Sequence, residues 1–232
     1  MAAAVLLDGH QKDVIHYPED DERFLRYEGE TRNGKPWGNG TMYYVSGGSY
    51  VGQWVDGLRH GHGLQKYGQA SGGDHYEGSW KNDTKSGFGI YVWKDGARYE
   101  GEFSNGLRHG YGLYKFSKYD KQKRDFYQGD WKEGLKSGFG KTYWKDGSFY
   151  VGQFENGEKH GMGKMTFSKG DDRESFKGVW LNGMKTDNGT MIWKSHDDEK
   201  RQFNFRLGIH LVLLFIFIMC FCLCRCLTSY YE

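Results

Sequence analysis

The residues best suited to chemistry by type and spacing are four cysteines that alternate with other residues near the carboxyl end: Cys220, Cys222, Cys224 and Cys226. Structural zinc sites usually separate two cysteines by two residues, in polar surroundings where the ligands converge. These cysteines lie in an apolar run instead, so we expect no metal site. We interpret them as small hydrophobic residues or, at Cys224 and Cys226, as sites of S-palmitoylation near a membrane interface.

Three histidines are the other candidates for chemistry, because His60, His109 and His160 fall at equivalent places in a repeated pattern. A catalytic histidine needs a particular neighbour that sets its pKa and a nucleophile within hydrogen-bond reach. Three equivalent copies indicate a structural role in a turn. The glycine-rich stretches lack the Lys-Ser/Thr ending of a phosphate-binding loop. We therefore expect no catalytic residue and no cofactor.

The elements that position all these residues are seven copies of a frame of fourteen residues. Each copy has an aromatic residue at the first place and glycine at the third and fourteenth places, without insertions. The copies, called units 1 to 7, begin at Tyr27, Tyr50, Tyr76, Tyr99, Tyr127, Tyr150 and Phe176. A period of about 20 to 50 residues is the mark of a repeat array.

Each unit is expected to form a β-hairpin. An alternating aromatic strand leads to a turn signal such as Asn33-Gly34 or Asn105-Gly106, and a second alternating strand follows. Because a single hairpin is marginal in water, successive hairpins must stack and bury their aromatic face. We expect tyrosine to pack on tyrosine and tryptophan on tryptophan along the array.

The pattern Tyr-Glu-Gly-x-Trp/Phe-x-Asn-Gly-x-x-His-Gly-x-Gly resembles the MORN repeat, and the resemblance covers residues 27 to about 200. It implies an all-β fold, an elongated single-layer antiparallel β-sheet solenoid of hairpins that serves as a scaffold. Within that family the chain is similar to the small MORN-only proteins of sperm and axonemes, by residues 85–90 and 189–192. Related chains with activity carry a separate catalytic domain. None is found here, so we expect no enzyme.

This interpretation divides the chain into three regions. Residues 1–26 are expected to form an acidic, partly disordered arm around Glu19-Asp20-Asp21-Glu22, or alternatively a peptide that docks on a basic partner. Residues 27–205 form the seven-unit array. Residues 206–232 are expected to form an apolar carboxyl-terminal anchor.

The anchor prediction depends on the segment from Leu207 to Cys224, whose one ionisable side chain is His210. As a helix of 18 residues it would be about 27 Å long, near the thickness of a hydrocarbon core. We expect residues 207–227 to span a membrane as a tail anchor, with the array on the cytosolic face because lysine and arginine cluster before the segment. The alternatives are a buried terminal strand or helix, and a location in the cytoplasm, in the acrosome or flagellum of sperm, or in a cilium.

Charge narrows the range of partners. The net charge of +2, from 32 basic and 30 acidic side chains, favours neither nucleic acid nor a strongly anionic partner.

The longer connections at residues 67–75, 116–126 and 167–175 should project from one edge of the sheet. We expect protein partners. The alternative is an anionic-lipid module that holds phosphoinositide headgroups with Lys118, Lys121, Lys123, Arg124, Lys136 and Lys159.

Overall fold

The structure is a computed structural model that describes residues 11–68, 72–194 and 201–206. Over these residues, sixteen strands form a single antiparallel sheet in which every strand pairs with its neighbours in chain order. The strands are β1 (Gln11–His16), β2 (Phe24–Arg32), β3 (Lys35–Tyr44), β4 (Ser49–Val55), β5 (Leu58–Lys66), β6 (His75–Lys81), β7 (Thr84–Val92), β8 (Arg98–Ser104), β9 (Leu107–Lys115), β10 (Arg124–Lys132), β11 (Leu135–Trp144), β12 (Phe149–Glu155), β13 (Glu158–Thr166), β14 (Arg173–Leu181), β15 (Met184–Trp193) and β16 (Arg201–Arg206). The predicted all-β, single-sheet architecture is confirmed.

Tight two-residue turns close the seven hairpins, and glycine-containing turn signals predict six of them. In the Asn105-Gly106 turn, φ is +50° and +79°, the paired positive values of a type I′ turn, whose twist matches that of the flanking strands. The turn of unit 3 lacks glycine and uses Asn82 and Asp83, which adopt φ values of +48° and +64°. The longer connections all lie at the opposite edge, because tight turns and longer connections alternate along the sheet.

The core is a line of rings along one face of the sheet, which we call the aromatic ladder. It contains the first and fifth residues of the frames: Tyr27, Tyr50, Trp54, Tyr76, Trp80, Tyr99, Phe103, Tyr127, Trp131, Tyr150, Phe154, Phe176 and Trp180. Their exposed fractions are 0 to 5%. Neighbouring rings meet edge to face, with centroids 4.9 to 5.6 Å apart and planes 79 to 89° apart.

The predicted packing of tyrosine on tyrosine and tryptophan on tryptophan is wrong, because the two kinds of ring alternate. Trp131, for example, contacts Tyr127 of its own unit and Tyr99 of the unit before it. Each fifth residue thus lies between two first residues. Edge-to-face contacts match the positive edge of one ring to the negative face of the next, which favours this arrangement.

The frame glycines let each tyrosine lie flat on the sheet. Gly101 pairs with Gly112 on the adjacent strand, and a Cβ added at Gly112 would lie 2.4 to 2.6 Å from atoms of the Tyr99 ring. The Tyr99 hydroxyl then donates a hydrogen bond to the Glu102 carbonyl oxygen at 2.9 Å. The close approach of the ring explains why glycine recurs at these two frame positions.

Tryptophans also link one unit to the next. The Trp131 indole N–H donates to the Gly112 carbonyl oxygen of the preceding unit at 3.2 Å, and Trp54, Trp80 and Trp180 make the equivalent bond at 3.2 to 3.3 Å. Phe103 and Phe154 occupy the same frame position in units 4 and 6 and have no N–H to donate. The junctions between units therefore differ in their polar contacts.

At its amino end the described sheet extends beyond the boundary expected from the sequence. Within the segment predicted to be a partly disordered arm, Gln11–His16 forms β1, which pairs with β2 from Gln11 opposite Thr31 to His16 opposite Arg26. At the other end β16, which follows the last repeat unit and lies within the predicted array apart from Arg206, pairs with β15. Backbone pairing with an open sheet edge needs no repeat motif, which is why the frame did not indicate these strands.

The predicted carboxyl-terminal helix, together with Cys224 and Cys226, falls in residues 207–232, outside the described residues. In the portion of the chain that the structure describes, no helix is long and apolar enough to cross a membrane.

Candidate interaction face

A row of positive side chains lies over the aromatic ladder. Its members share the tenth frame position, at the start of the second strand of units 2 to 7, and we call them the cation row: Arg59, Lys85, Arg108, Lys136, Lys159 and Lys185. Each places its charged group 4.0 to 5.6 Å from the centroid of a nearby ring. Such cation–π contacts stabilise by roughly 0.5 to 2 kcal/mol each.

Lys136 shows the geometry most clearly. Its Nζ lies 4.6 Å from the Tyr127 ring, 5.3 Å from Phe116 and 5.5 Å from Phe154. Burial among these rings lowers the pKa of Lys136 to about 7, and the nearby charge of Arg124 acts in the same direction. The ammonium group is thus held where its charged form is costly unless an anion approaches.

Three other members of the row have the same electrostatic setting. Burial lowers the pKa of Lys85, Arg108 and Lys159 as well. Arg59 is neutralised by Asp83, whose carboxylate accepts a hydrogen bond from Nε at 2.9 Å. From Lys85 to Lys185, by contrast, no member of the row forms an ion pair with any described residue. The face carries a line of positive charges without counter-charges.

A second line of rings runs beside the cation row, toward the edge with the longer connections. These residues share the eighteenth place counted from the start of each unit and form the flanking aromatic row: Tyr44, Tyr67, Trp93, Phe116, Trp144, Phe167 and Trp193. They are only partly buried against the ladder. Lys159 lies 5.9 Å from the Trp144 ring, so charge and exposed ring surface are adjacent. Together the two rows define the interaction face.

The six predicted contact residues do not lie together. Lys118, Lys121 and Lys123 are exposed in the connection between β9 and β10, at the edge of the sheet. Lys136 and Lys159 belong instead to the cation row.

Arg124, the remaining predicted residue, shares a ring with the cation row, but its charge is paired locally. Its guanidinium lies 4.0 Å above the Phe116 ring, whose centroid is also 5.3 Å from Lys136. An ion pair with Asp120 at 2.6 Å compensates the charge of Arg124. The Arg124 guanidinium holds the pKa of the Asp120 carboxyl below its usual range. The edge lysines and the cation row are therefore two separate basic features.

The recurrent histidines lie at equivalent register positions on β5, β9 and β13. His60 is opposite Gln53, His109 opposite Glu102, and His160 opposite Gln153. His160 also approaches Glu155, with 3.4 Å between Nε2 and the carboxylate oxygen. Each histidine precedes a glycine with φ of +55° to +58° that begins a bulge in its strand. The histidines therefore lie on strands beside a bulge, and the predicted position in a turn is wrong.

The sequence reasoning missed the interaction face although the signal was present. The tenth frame position carries a basic residue in even and odd units alike. It is occupied by Arg59, Arg108 and Lys159 in even units and by Lys85 and Lys136 in odd units. Aligning the copies beyond the fourteenth residue would likewise have exposed the flanking aromatic row. What the pattern could not supply was the side of the sheet on which both rows lie.

Comparison with protein families identifies the repeat. The MORN repeat model matches residues 27–49, 50–69, 76–98, 99–121, 127–149 and 150–172, which together exceed half of the chain. These stretches correspond to units 1 to 6. Unit 7 lies outside the match, but β14 and β15 form its hairpin with the same pairing of Gly178 and Gly189. No curated protein matches the chain.

Proposed function

We propose that this chain, which belongs to the MORN-repeat family, is a non-enzymatic scaffold whose interaction face binds an acidic segment of a protein partner. The observation that carries this proposal is the line of four cations Lys85, Arg108, Lys136 and Lys159, whose burial lowers their pKa values and which form no ion pair with any described residue. Carboxylates placed over them would restore the charge balance, and the flanking rings would supply apolar contact.

The rigidity of the array suits this role. Interlocked rings and backbone pairing hold the cations at fixed intervals over the whole sheet, so a partner meets a preorganised surface. Preorganisation reduces the ordering cost that binding would otherwise incur. A long surface of this kind can also hold two partners side by side and raise their effective concentration.

The test compares two matched double variants of the full chain. Lys136→Gln with Lys159→Gln removes two charges from the interaction face. Lys164→Gln with Lys177→Gln removes two exposed charges from the opposite face, where these lysines are paired across β13 and β14. Circular dichroism and urea unfolding first establish that each variant folds.

Proximity labelling in cells then gives the readout. We expect the first variant to lose labelled protein partners that the second variant retains, since only the first changes the proposed contact surface. Identical partner sets for the two variants and the unchanged chain would contradict the proposed use of this face.

We further propose that residues 207–227 tether the array to the cytosolic face of a membrane. Support comes from the run of apolar residues that follows β16, which ends at Arg206, and from the cluster of Lys194, Arg201 and Arg206 on its amino side. Alkaline carbonate extraction should leave the full chain in the membrane pellet. Release of the intact chain into the supernatant would refute the tether. Loss of hydroxylamine-sensitive labelling in a Cys224→Ser, Cys226→Ser variant would identify palmitoylation.

Anionic lipid is the second candidate ligand, favoured by the exposure of Lys118, Lys121 and Lys123 at one edge. Lys145 donates hydrogen bonds to the Ser117 and Lys118 carbonyl oxygens and so holds this connection against its neighbour. Vesicles with and without phosphoinositide discriminate between the candidates. Lipid binding would be lost on changing the edge lysines to glutamine and would fall with added salt.

A further inference from the structure

The cation row has a spacing that can select the conformation of its ligand, an inference that rests on the proposed function. Successive members lie on every second strand, for example Arg108 on β9 and Lys136 on β11. Strands in a sheet are about 4.7 to 4.9 Å apart, so equivalent backbone positions in successive units are about 9.6 Å apart. A ligand that runs along the array should therefore repeat its carboxylates at about that distance.

Regular peptide conformations meet this requirement to different degrees. A β-strand returns a side chain to one face about every 6.7 Å, which falls out of step within one unit. An α-helix returns after seven residues, about 10.5 Å, and would exceed the row by about 3 Å over three intervals. A polyproline II helix returns after three residues, about 9.3 Å, and would differ from the row by only about 1 Å over the same length.

The flanking aromatic row favours the same conformation. Grooves lined by aromatic rings are the usual docking sites of polyproline II segments, whose backbone is preformed and has no internal hydrogen bonds. Here the rings stand beside the cations: Phe116 is 5.3 Å from Lys136, and Trp144 is 5.9 Å from Lys159. Residues between the carboxylates of such a ligand would fall on the rings.

We propose that the cation row from Lys85 to Lys159 binds an acidic protein segment in the polyproline II conformation, with a carboxylate at every third residue. Proline or other apolar residues between the carboxylates contact the part of the flanking aromatic row that is not buried. Four successive cations fit four carboxylates, one for each hairpin. Binding depends on the register of the acidic residues as well as on their number.

Synthetic peptides test the proposal on the full chain by fluorescence anisotropy. The first peptide carries four glutamates separated by pairs of prolines, and the second has the same composition with its glutamates grouped at one end. A third, helical peptide has glutamate at every seventh residue. We expect the first peptide to bind about tenfold or more tightly than the second, a difference that charge alone does not produce.

Substitutions in the full chain test whether the first peptide binds at the cation row. Lys136→Gln should weaken the first peptide about tenfold, whereas the outer-face variant Lys164→Gln should leave its affinity unchanged. Circular dichroism confirms that the variants remain folded. If Lys136→Gln reduces sheet content, Lys159→Gln replaces it as the test.

Any of the following results would overturn the inference. Equal affinity for the periodic and grouped peptides would show that charge alone attracts the ligand. Tighter binding of the helical peptide would show that the ligand is not in the polyproline II conformation. Either result would still be consistent with binding at the interaction face. Binding to phosphatidylserine vesicles that competes with the peptide and is lost in Lys136→Gln would assign the face to lipid. Failure of all peptides to bind refutes the inference, while the labelling comparison of the double variants separately judges the proposed function.

Discussion

Replacing Gly112 with alanine should destabilise the array strongly, although the new side chain is a single methyl group. Its Cβ would lie 2.4 Å from the Tyr99 hydroxyl oxygen, 2.5 Å from Cε2 and 2.6 Å from Cζ. The ring cannot move aside without loss, because it is held between Phe103 and Trp131 with centroids 5.1 and 5.4 Å away.

The magnitude follows from the contacts that must change. Overpacking in a rigid core costs about 1 to 3 kcal/mol. Displacing the ring weakens the Tyr99 hydrogen bond, worth about 1 kcal/mol, and two edge-to-face contacts, each worth about 0.5 to 1.5 kcal/mol. We expect Gly112→Ala to lower the free energy of unfolding by about 3 to 5 kcal/mol, with Gly112→Val worse still.

Urea unfolding followed by tryptophan fluorescence measures this effect, with Gly170→Ala as the matched control. Gly170 lies in a longer connection, has no atom within 4 Å of a built Cβ, and lacks a positive φ, so its substitution should change stability little. Because the clash is with Tyr99, Gly112→Ala should cost much less in a Tyr99→Ala background. Equal midpoints for the two single variants, or additive effects in the double variant, would refute the close-approach argument.

Three further outcomes are expected. Trp131→Phe keeps the ring but removes the hydrogen bond to Gly112, and it should lower the free energy of unfolding by about 1 kcal/mol in urea unfolding; no change would show that the bond is not stabilising. Glu133 adopts φ of +50° in a type I′ turn, so Glu133→Asn should raise the urea midpoint, corresponding to about 0.5 to 1 kcal/mol, and a fall would contradict the turn assignment. Stability should rise between about pH 7 and 10, because burial lowers the pKa of Lys136 to about 7 and the folded chain has then lost a proton that the unfolded chain still holds. Above about pH 10 stability should fall, because burial raises the pKa of Tyr150 to about 12 and the unfolded chain loses its tyrosine protons first; thermal unfolding that showed no such decline would refute this.

The sequence was sufficient for the architecture because each local signal agreed with the repeat. Turn pairs such as Asn105-Gly106 took the positive φ values that their residue types allow, and the frame glycines marked where rings cross the sheet. The third turn was not among the predicted turn signals because Asn82-Asp83 has no glycine. Its φ values follow the geometry that the paired strands impose.

The interaction face was harder to predict because it depends on which groups meet across units. Lys136 contacts Phe116 of the preceding unit and Phe154 of the following one, partners that lie roughly twenty residues away in each direction. The frame position of Lys136 sets it apart from Lys132, which is exposed near a turn, but that position does not reveal which rings surround the ammonium group. The formal net charge of the chain also gave no sign of the cation row, because acidic residues elsewhere reduce it to +2. Terminal strand β1 was missed because edge pairing carries no repeat signature.

The uneven distribution of indole bonds has a mechanical consequence. Units 1 to 3, units 4 and 5, and units 6 and 7 are each joined internally by a tryptophan that donates to the preceding unit, whereas Phe103 and Phe154 leave the two intervening joints without that bond. A load that pulls the two ends of the array apart should open those joints first. The sheet would then extend as three stiff plates connected by two softer hinges.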